Sequence, residues 1–195
     1  GRERGFIDYF NDLIPDWNPQ SLSIGHLSNL TGVLKSLPGN ILDDVVLGAY
    51  GKLGIRPAAH KMVISWDHAS EMSKFEVGFG SHGLHHWILS AVDTNSKRKE
   101  IFESINNLKT KPVKVTPFFS FPNGNWDEES LALIREAGYR GAVAGPLGYN
   151  TARSHPLLLK RVSFHEYISN SPNLFWFRIF QALSSGCGQS IVYQK

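Results

Sequence analysis

The sequence predicts an α/β fold in which parallel strands are joined by crossover helices. Two observations carry this prediction. From Lys74 onward, short apolar runs alternate with amphipathic stretches of helical spacing. Parallel neighbours also need a crossover of a dozen or more residues, which a helix usually supplies. Residues 1–60 read instead as a helical subdomain, leaving 61–195 for the α/β part.

The elements follow in order. "GFIDYFNDLI" places Phe6, Ile7, Phe10, Leu13 and Ile14 at helical spacing, and Pro15 interrupts it. A second helix carries Ile24, Leu27, Leu30, Val33, Leu34 and Leu37 and closes at Pro38-Gly39. A third begins with Asn40 as its N-cap. Asp43 and Asp44 in that helix point about 100° apart, so they do not converge as a catalytic pair; early in a helix their charge favours the dipole. Ser65 caps a short helix with Asp67 in its first turn. Then come a strand at Lys74–Phe79, a helix from Ser90 to about Leu108 and a strand from Val113 that Pro122 ends. Next is a helix with Asp127 and Glu128 in its first turn and Gly138 at its stop. "RGAVAG" and Leu157–Phe164 read as strands. "NLFWFRIFQALS" is a last amphipathic helix, and its Phe175–Phe177 aromatics read as core.

Composition narrows the function. The chain has 195 residues, 42% apolar and 19% charged, which suits one large globular domain, or one and a half small ones, with a substantial core. The net charge is +3, and the densest basic run, "KRKE" at Lys97–Glu100, reads as a solvated helix face. Nucleic acid is therefore not an expected partner. Cys187 is the single cysteine, so no internal disulfide forms and the compartment is not readable: extracytoplasmic and cytoplasmic both fit. No apolar run approaches the roughly 18 to 20 residues that span a bilayer, and no secretory leader is visible. The sequence does not set an oligomeric state.

In parallel α/β folds, ligands bind at the carboxyl ends of the strands. Three loops expected there carry chemistry: "GSHGLHH" after Phe79, "FPNGNWDEE" after Phe119 and "SFHEY" after Val162. His82 and His86 are four apart, which on a helical turn stacks both rings on one side and suits two ligands of one metal. His85 then points elsewhere, and Gly83 lets the backbone turn. The alternative is a polar loop whose histidines cap or pack. Catalytic zinc takes three protein ligands, so a third, a carboxylate, is expected from elsewhere. His26 and His60 have no neighbour of that kind and read as surface or packing residues.

These residues resemble the polysaccharide deacetylases with a NodB-homology domain (carbohydrate esterase family 4). That family carries Gly-Ser-His-Thr-x-x-His-Pro after a strand; here stand Gly80-Ser81-His82-Gly83-Leu84-His85-His86-Trp87. "SWDHASEM" and "FEVGFGSH" are similar to the family's lead-in. "FFSFPNGNWDEESLALIREAGYRGAVA" is similar to its Phe-x-x-Pro-Tyr-Gly loop, helix and Glu-Ala-Gly-Tyr turn, and "LLLKRVSF" to a Leu-x-Arg-Ile strand. The resemblance runs from about Met62 to Phe164. It implies a (β/α) barrel, here partial, with residues 1–60 as a helical insertion. It implies a divalent metal, zinc above all, held by one Asp and two His, and removal of acetyl groups from an N-acetylated polysaccharide. His82 and His86 take the place of the metal histidines. Asn123 stands where the family has tyrosine, so its backbone N–H is the expected oxyanion donor. His165 is the candidate general acid, with His155 a poorer one. Trp87, Trp126 and Tyr149 are candidates to line a sugar groove, against ordinary packing.

The departures shape the expectation. The family's Thr-Phe-Asp-Asp-Gly motif, source of the metal Asp and the base, does not occur, and "ILDDVV" lacks its strand and glycine. Ser120 replaces an arginine common in the Pro-Tyr-Gly loop. With no initiator methionine, the chain reads as the later part of a deacetylase domain, with the Asp pair expected upstream and little activity by itself. Two alternatives stand beside this: a non-catalytic relative that binds glycan or protein, and a different metal-dependent amidase on a similar barrel.

Overall fold

The computed structural model describes residues 2–14, 17, 19–35, 37, 39–56, 63–164 and 170–185. The chain divides into two compact units, Gly1–Ser65 and Trp66–Lys195.

The first unit holds three helices: α1 (Arg2–Leu13), α2 (Ile24–Lys35) and α3 (Gly39–Leu53). Its core gathers Phe10, Trp17 and Leu30, with Phe6, Tyr9, Leu34, Val45 and Ala49 against them. Two polar tips find carbonyls inside this apolar cluster. The Trp17 indole N–H donates to His26 O at 3.0 Å, and the Tyr9 hydroxyl to Val45 O at 2.8 Å, so neither polar group is buried without a partner. Asp43 and Asp44 are both exposed. His26 pairs through Nδ1 with the Ser23 hydroxyl at the surface.

The second unit runs α4 (Trp66–Ser73), β1 (Phe79–Ser81), α5 (Thr94–Lys109), β2 (Val115–Ser120), α6 (Glu128–Glu136), β3 (Gly141–Leu147), β4 (Leu159–Arg161) and α7 (Pro172–Ser184). The strands form one sheet in the order β1-β2-β3-β4, and each neighbouring pair is parallel. α5 and α6 make the first two crossovers; the third, from β3 to β4, is a loop. α5 starts where Asp93 accepts from the amides of Asn95 and Ser96. It then buries Ile101, Ile105 and Leu108, one stripe at helical spacing. α6 starts in a capping box, the Asp127 carboxylate on the Ser130 amide and the Ser130 hydroxyl on the Asp127 amide. Leu131, Leu133 and Ile134 meet Phe119, Phe121, Tyr139, Ala142 and Ala144 in the core. Side chains such as Ile101 and Ile134, wholly removed from water, each stabilise the fold by about 1.5–3 kcal/mol.

Four local expectations are corrected. The first strand is Phe79–Ser81 rather than Lys74–Phe79. The Lys74 and Phe75 amides are taken by Glu71 and Met72 carbonyls in the turn that closes α4, and Glu76 adopts a φ of 64°. The last strand shrinks to Leu159–Arg161. "KRKE" is not a uniformly solvated face, because Lys97 and Glu100 are buried. The aromatics of α7 are not core: Trp176 is 66% exposed and Phe175 and Phe177 are also open, while Ala182 is the helix's buried residue among those described. Cys187 and His60 lie outside the described residues.

Candidate functional site

With all strands running the same way, their carboxyl ends lie along one side of the sheet, the side that carries ligand sites in this class of fold. Two loops there hold most of the residues singled out from the sequence.

The first loop leaves β1 at Ser81. Its hydroxyl donates to the Ser104 hydroxyl of α5 at 2.6 Å and accepts the Gly83 amide at 3.3 Å. No helical turn follows. Gly83 has a φ of 89° and His86 of 64°, and these two left-handed residues curl the loop irregularly. The result still brings the His82 and His86 rings together, centroids 4.7 Å apart and planes at 86°. His82 Nδ1 lies 2.6 Å from the Ser120 carbonyl at the end of β2. A carbonyl only accepts, so the hydrogen sits on Nδ1, and in the neutral ring Nε2 then carries the lone pair. Both histidines are exposed.

His85 goes the other way. Its Nδ1 is 2.6 Å from Glu100 Oε1, and its ring stacks on Trp87 at 4.8 Å. The amide of Leu84 donates to Glu100 Oε2 at 2.9 Å, and that of His85 donates to both carboxylate oxygens. Glu100 is 0% exposed. The Trp87 indole nitrogen is buried with no hydrogen-bond partner among the described residues.

The second loop leaves β2 through a 3₁₀ turn, Pro122–Gly124. Asn123 takes a φ of 56° and Gly124 of 78°. Gly124 lies against Gly145 of β3 so closely that a Cβ on it would sit 2.5 Å from Gly145 Cα. The Gly124 amide donates to Phe121 O at 2.9 Å, and Asn123 Nδ2 donates to Asn125 Oδ1 at 2.6 Å. The loop then enters α6 at Asp127, whose carboxylate receives Lys97 Nζ at 2.6 Å; Glu129 receives it at 2.5 Å.

The remaining candidates scatter. Trp126 is half-buried against the core. Tyr149 is exposed in the loop after β3, beside Asn150, which exchanges two hydrogen bonds with the backbone of Lys160. His155 is exposed and accepts the Leu157 amide at 3.2 Å, a local turn contact. His165 lies outside the described residues. Among the described residues, no group of three or more His, Cys, Asp or Glu gathers as a metal-ligand set. The donor set at hand is thus two imidazoles, apt for a borderline cation such as zinc but short of its usual three protein ligands.

Sequence reasoning missed Glu100 and Arg161. Glu100 falls on the same stripe of α5 as Ile101, Ser104, Ile105 and Leu108, and a carboxylate on an apolar stripe is the signal that could have found it. Arg161, at the end of β4, reaches the Ser120 hydroxyl at 3.4 Å. It thereby brings a guanidinium to the end of the strand whose loop lacks the expected arginine.

Residues 46–142 match the polysaccharide deacetylase family. A solved structure, the Streptococcus pyogenes deacetylase PplD in complex with acetate, is similar with a TM-score of 0.54 at 16% identity; the likeness covers 72% of this chain and 64% of that one. At that identity the likeness speaks for the fold alone, and this chain spans 64% of the streptococcal chain. No curated protein matches the chain. The matched segment contains the histidine loop, α5 and the Pro122–Gly124 turn, and on that match residues 46–142 of this chain belong to the polysaccharide deacetylase family.

Proposed function

We propose that the chain carries the metal-binding side of a hydrolase that removes acetyl groups from an N-acetylated polysaccharide, with His82 and His86 as two ligands of a divalent cation, zinc by preference. The observation that carries this reading is the histidine pair at the sheet's carboxyl edge, with Nδ1 of His82 tied to a carbonyl and Nε2 left with its lone pair. A hydrogen bond from the far ring nitrogen to a carbonyl is how proteins fix the tautomer of a ligating imidazole. Zinc held there supplies Lewis acidity toward an acetamide carbonyl and lowers the pKa of a water. The streptococcal relative holds acetate, the anion that loss of an acetyl group yields.

The chain's own residues then have distinct tasks. The backbone N–H of Asn123 stabilises the oxyanion, a role that tolerates the exchange of tyrosine for asparagine because the side chain takes no part. Tyr149 offers an exposed ring to a sugar, with the half-buried Trp87 and Trp126 as further candidates. His165 hands a proton to the departing amine. Two imidazoles do not complete the machinery, however, and no carboxylate joins them among the described residues. The chain alone therefore holds zinc weakly and hydrolyses acetylated glycan at no appreciable rate. The same shortage favours a second reading, a non-catalytic domain that binds glycan or a protein partner.

Calorimetric titration with zinc tests these points. Weak binding, abolished in His82→Ala and in His86→Ala, is expected. Equal binding by both variants would remove the pair from the metal's ligands. Submicromolar affinity would mean that the ligand set is complete and would overturn the incomplete site proposed for this chain. Zinc-independent glycan binding that survives both substitutions would favour the non-catalytic reading.

A further inference from the structure

We propose that Glu100 is a positioning residue of the histidine site: its buried carboxylate fixes the loop after β1 so that the His82 and His86 rings meet, and so sets the affinity of the pair for a divalent cation. The effect on affinity rests on the metal-binding role of the two histidines; the effect on the loop rests on contacts alone.

A fully buried carboxylate is tolerated only where donors replace the water it has lost. Among the described residues every hydrogen bond to it comes from one short stretch: the Leu84 amide, the His85 amide and the His85 ring. Both carboxylate oxygens are used. The stretch lies between His82 and His86, so α5 grips the loop at its middle. His82 is held on the other side by the Ser120 carbonyl. The three closely spaced histidines thus divide the work. His85 is the clamp, drawn to α5, and its departure leaves His82 and His86 to face each other.

Gly83 completes the device. A Cβ at this position would lie 2.9 Å from Glu100 Oε2, at a φ of 89° that disfavours any side chain. The carboxylate approaches this closely because residue 83 has none. The hydrogen bonds of Glu100 go to the backbone of Leu84 and His85 and to the His85 ring, and through these it acts on the candidate ligands.

The test is Glu100→Gln, which keeps shape but replaces one acceptor oxygen with a donor facing backbone N–H groups. Three quantities are read: amide exchange at Leu84 and His85, the nuclear Overhauser contact between the His82 and His86 rings, and zinc affinity by calorimetry. The expected result is fast exchange at both amides and loss of the ring contact, with zinc binding weakened by about 10- to 100-fold. Exchange at the core amides of Phe119 and Ala142 should stay as in the parent, which separates positioning from general loss of stability. Zinc affinity within about twofold of the parent would overturn the proposal, since outer partners of ligating histidines normally exceed that effect. If the parent binds no zinc, the metal reading fails by itself, and the ring contact decides: its persistence in Glu100→Gln overturns the positioning role, and its loss supports it. If Glu100→Gln does not fold, Glu100→Asp and Gly83→Ala carry the same three readouts.

Discussion

The loops after β1 and β2 solve one problem in opposite ways. Each must leave a parallel strand and present polar groups at the same edge of the sheet. Each does so with a glycine and a non-glycine residue in the left-handed region, Gly83 with His86 and Gly124 with Asn123. The first loop is held by charge, through the buried Glu100 carboxylate and the amides of Leu84 and His85. The second is held by the closeness of two backbones, Gly124 against Gly145. A loop fixed by a side chain can adjust when that side chain moves. One fixed by the absence of side chains cannot. The histidine loop is therefore expected to be the more adaptable of the two, and the Pro122–Gly124 turn the more rigid.

Substitution of the two glycines measures this difference. Gly124→Ala forces a Cβ to within 2.5 Å of a backbone carbon at a φ of 78°, and nothing flexible can give way. Left-handed strain and overpacking together predict a loss of about 2–5 kcal/mol, seen as a large drop in thermal midpoint. Gly83→Ala carries the same conformational strain, but its neighbour is the far end of Glu100, which can withdraw. Its loss of stability should be smaller, about 1–2 kcal/mol, while amide exchange at Leu84 and His85 rises sharply. Equal destabilisation by the two variants would erase the distinction between the loops.

What could be read from the sequence follows the same division between local and distant causes. α6 is legible because its signals are adjacent: Asp127 and Ser130 at the start, an apolar stripe, and Gly138 at the end. The parallel order of strands is legible from the alternation of strand and helix. The start of β1 is not, because it depends on how α4 ends, and the turn after Ser73 takes the backbone groups that a longer strand would use. Burial of Lys97 and Glu100 is hidden for another reason. Charged residues on an amphipathic helix are ordinarily solvated, and the partners that remove these two from water are distant in sequence, Asp127 and Glu129 for one and the Leu84–His85 amides for the other. For His82 and His86 the spacing suggested a helical turn. The rings meet instead through two left-handed residues and a carbonyl from another strand. In α7 the amphipathic pattern says that a face favours cover, not what covers it, and Trp176, Phe177 and Phe180 stand exposed.

Lys97 gives the smallest and most selective test, because it ties charge to the exit of the second loop as Glu100 ties it to the first. It joins α5 to Asp127, the N-cap of α6. Burial raises the Asp127 pKa, but the hydrogen bonds from Lys97 and Ser130 and the lysine's charge outweigh that, so the carboxyl titrates below its ordinary value. Burial lowers the Lys97 pKa, but its bonds to Asp127 and Glu129 outweigh that, so the ammonium titrates above its ordinary value. A carboxyl with a depressed folded-state pKa adds stability above its unfolded value, and that stability is lost as pH falls through the folded one. A lysine with a raised pKa adds stability below its unfolded value, lost as pH rises through the folded one. The stability gap between the parent and Lys97→Met should therefore be a plateau from about pH 5 to 10 that closes on both sides. For the Lys97–Asp127 bond, partly open to water, it amounts to about 1 kcal/mol. Amide exchange at Leu84 and His85 should be unchanged in this variant, since the clamp on the histidine loop is separate. A gap that persists well below the carboxylate range would mean that Lys97 contributes through packing of its methylenes and not through its charge.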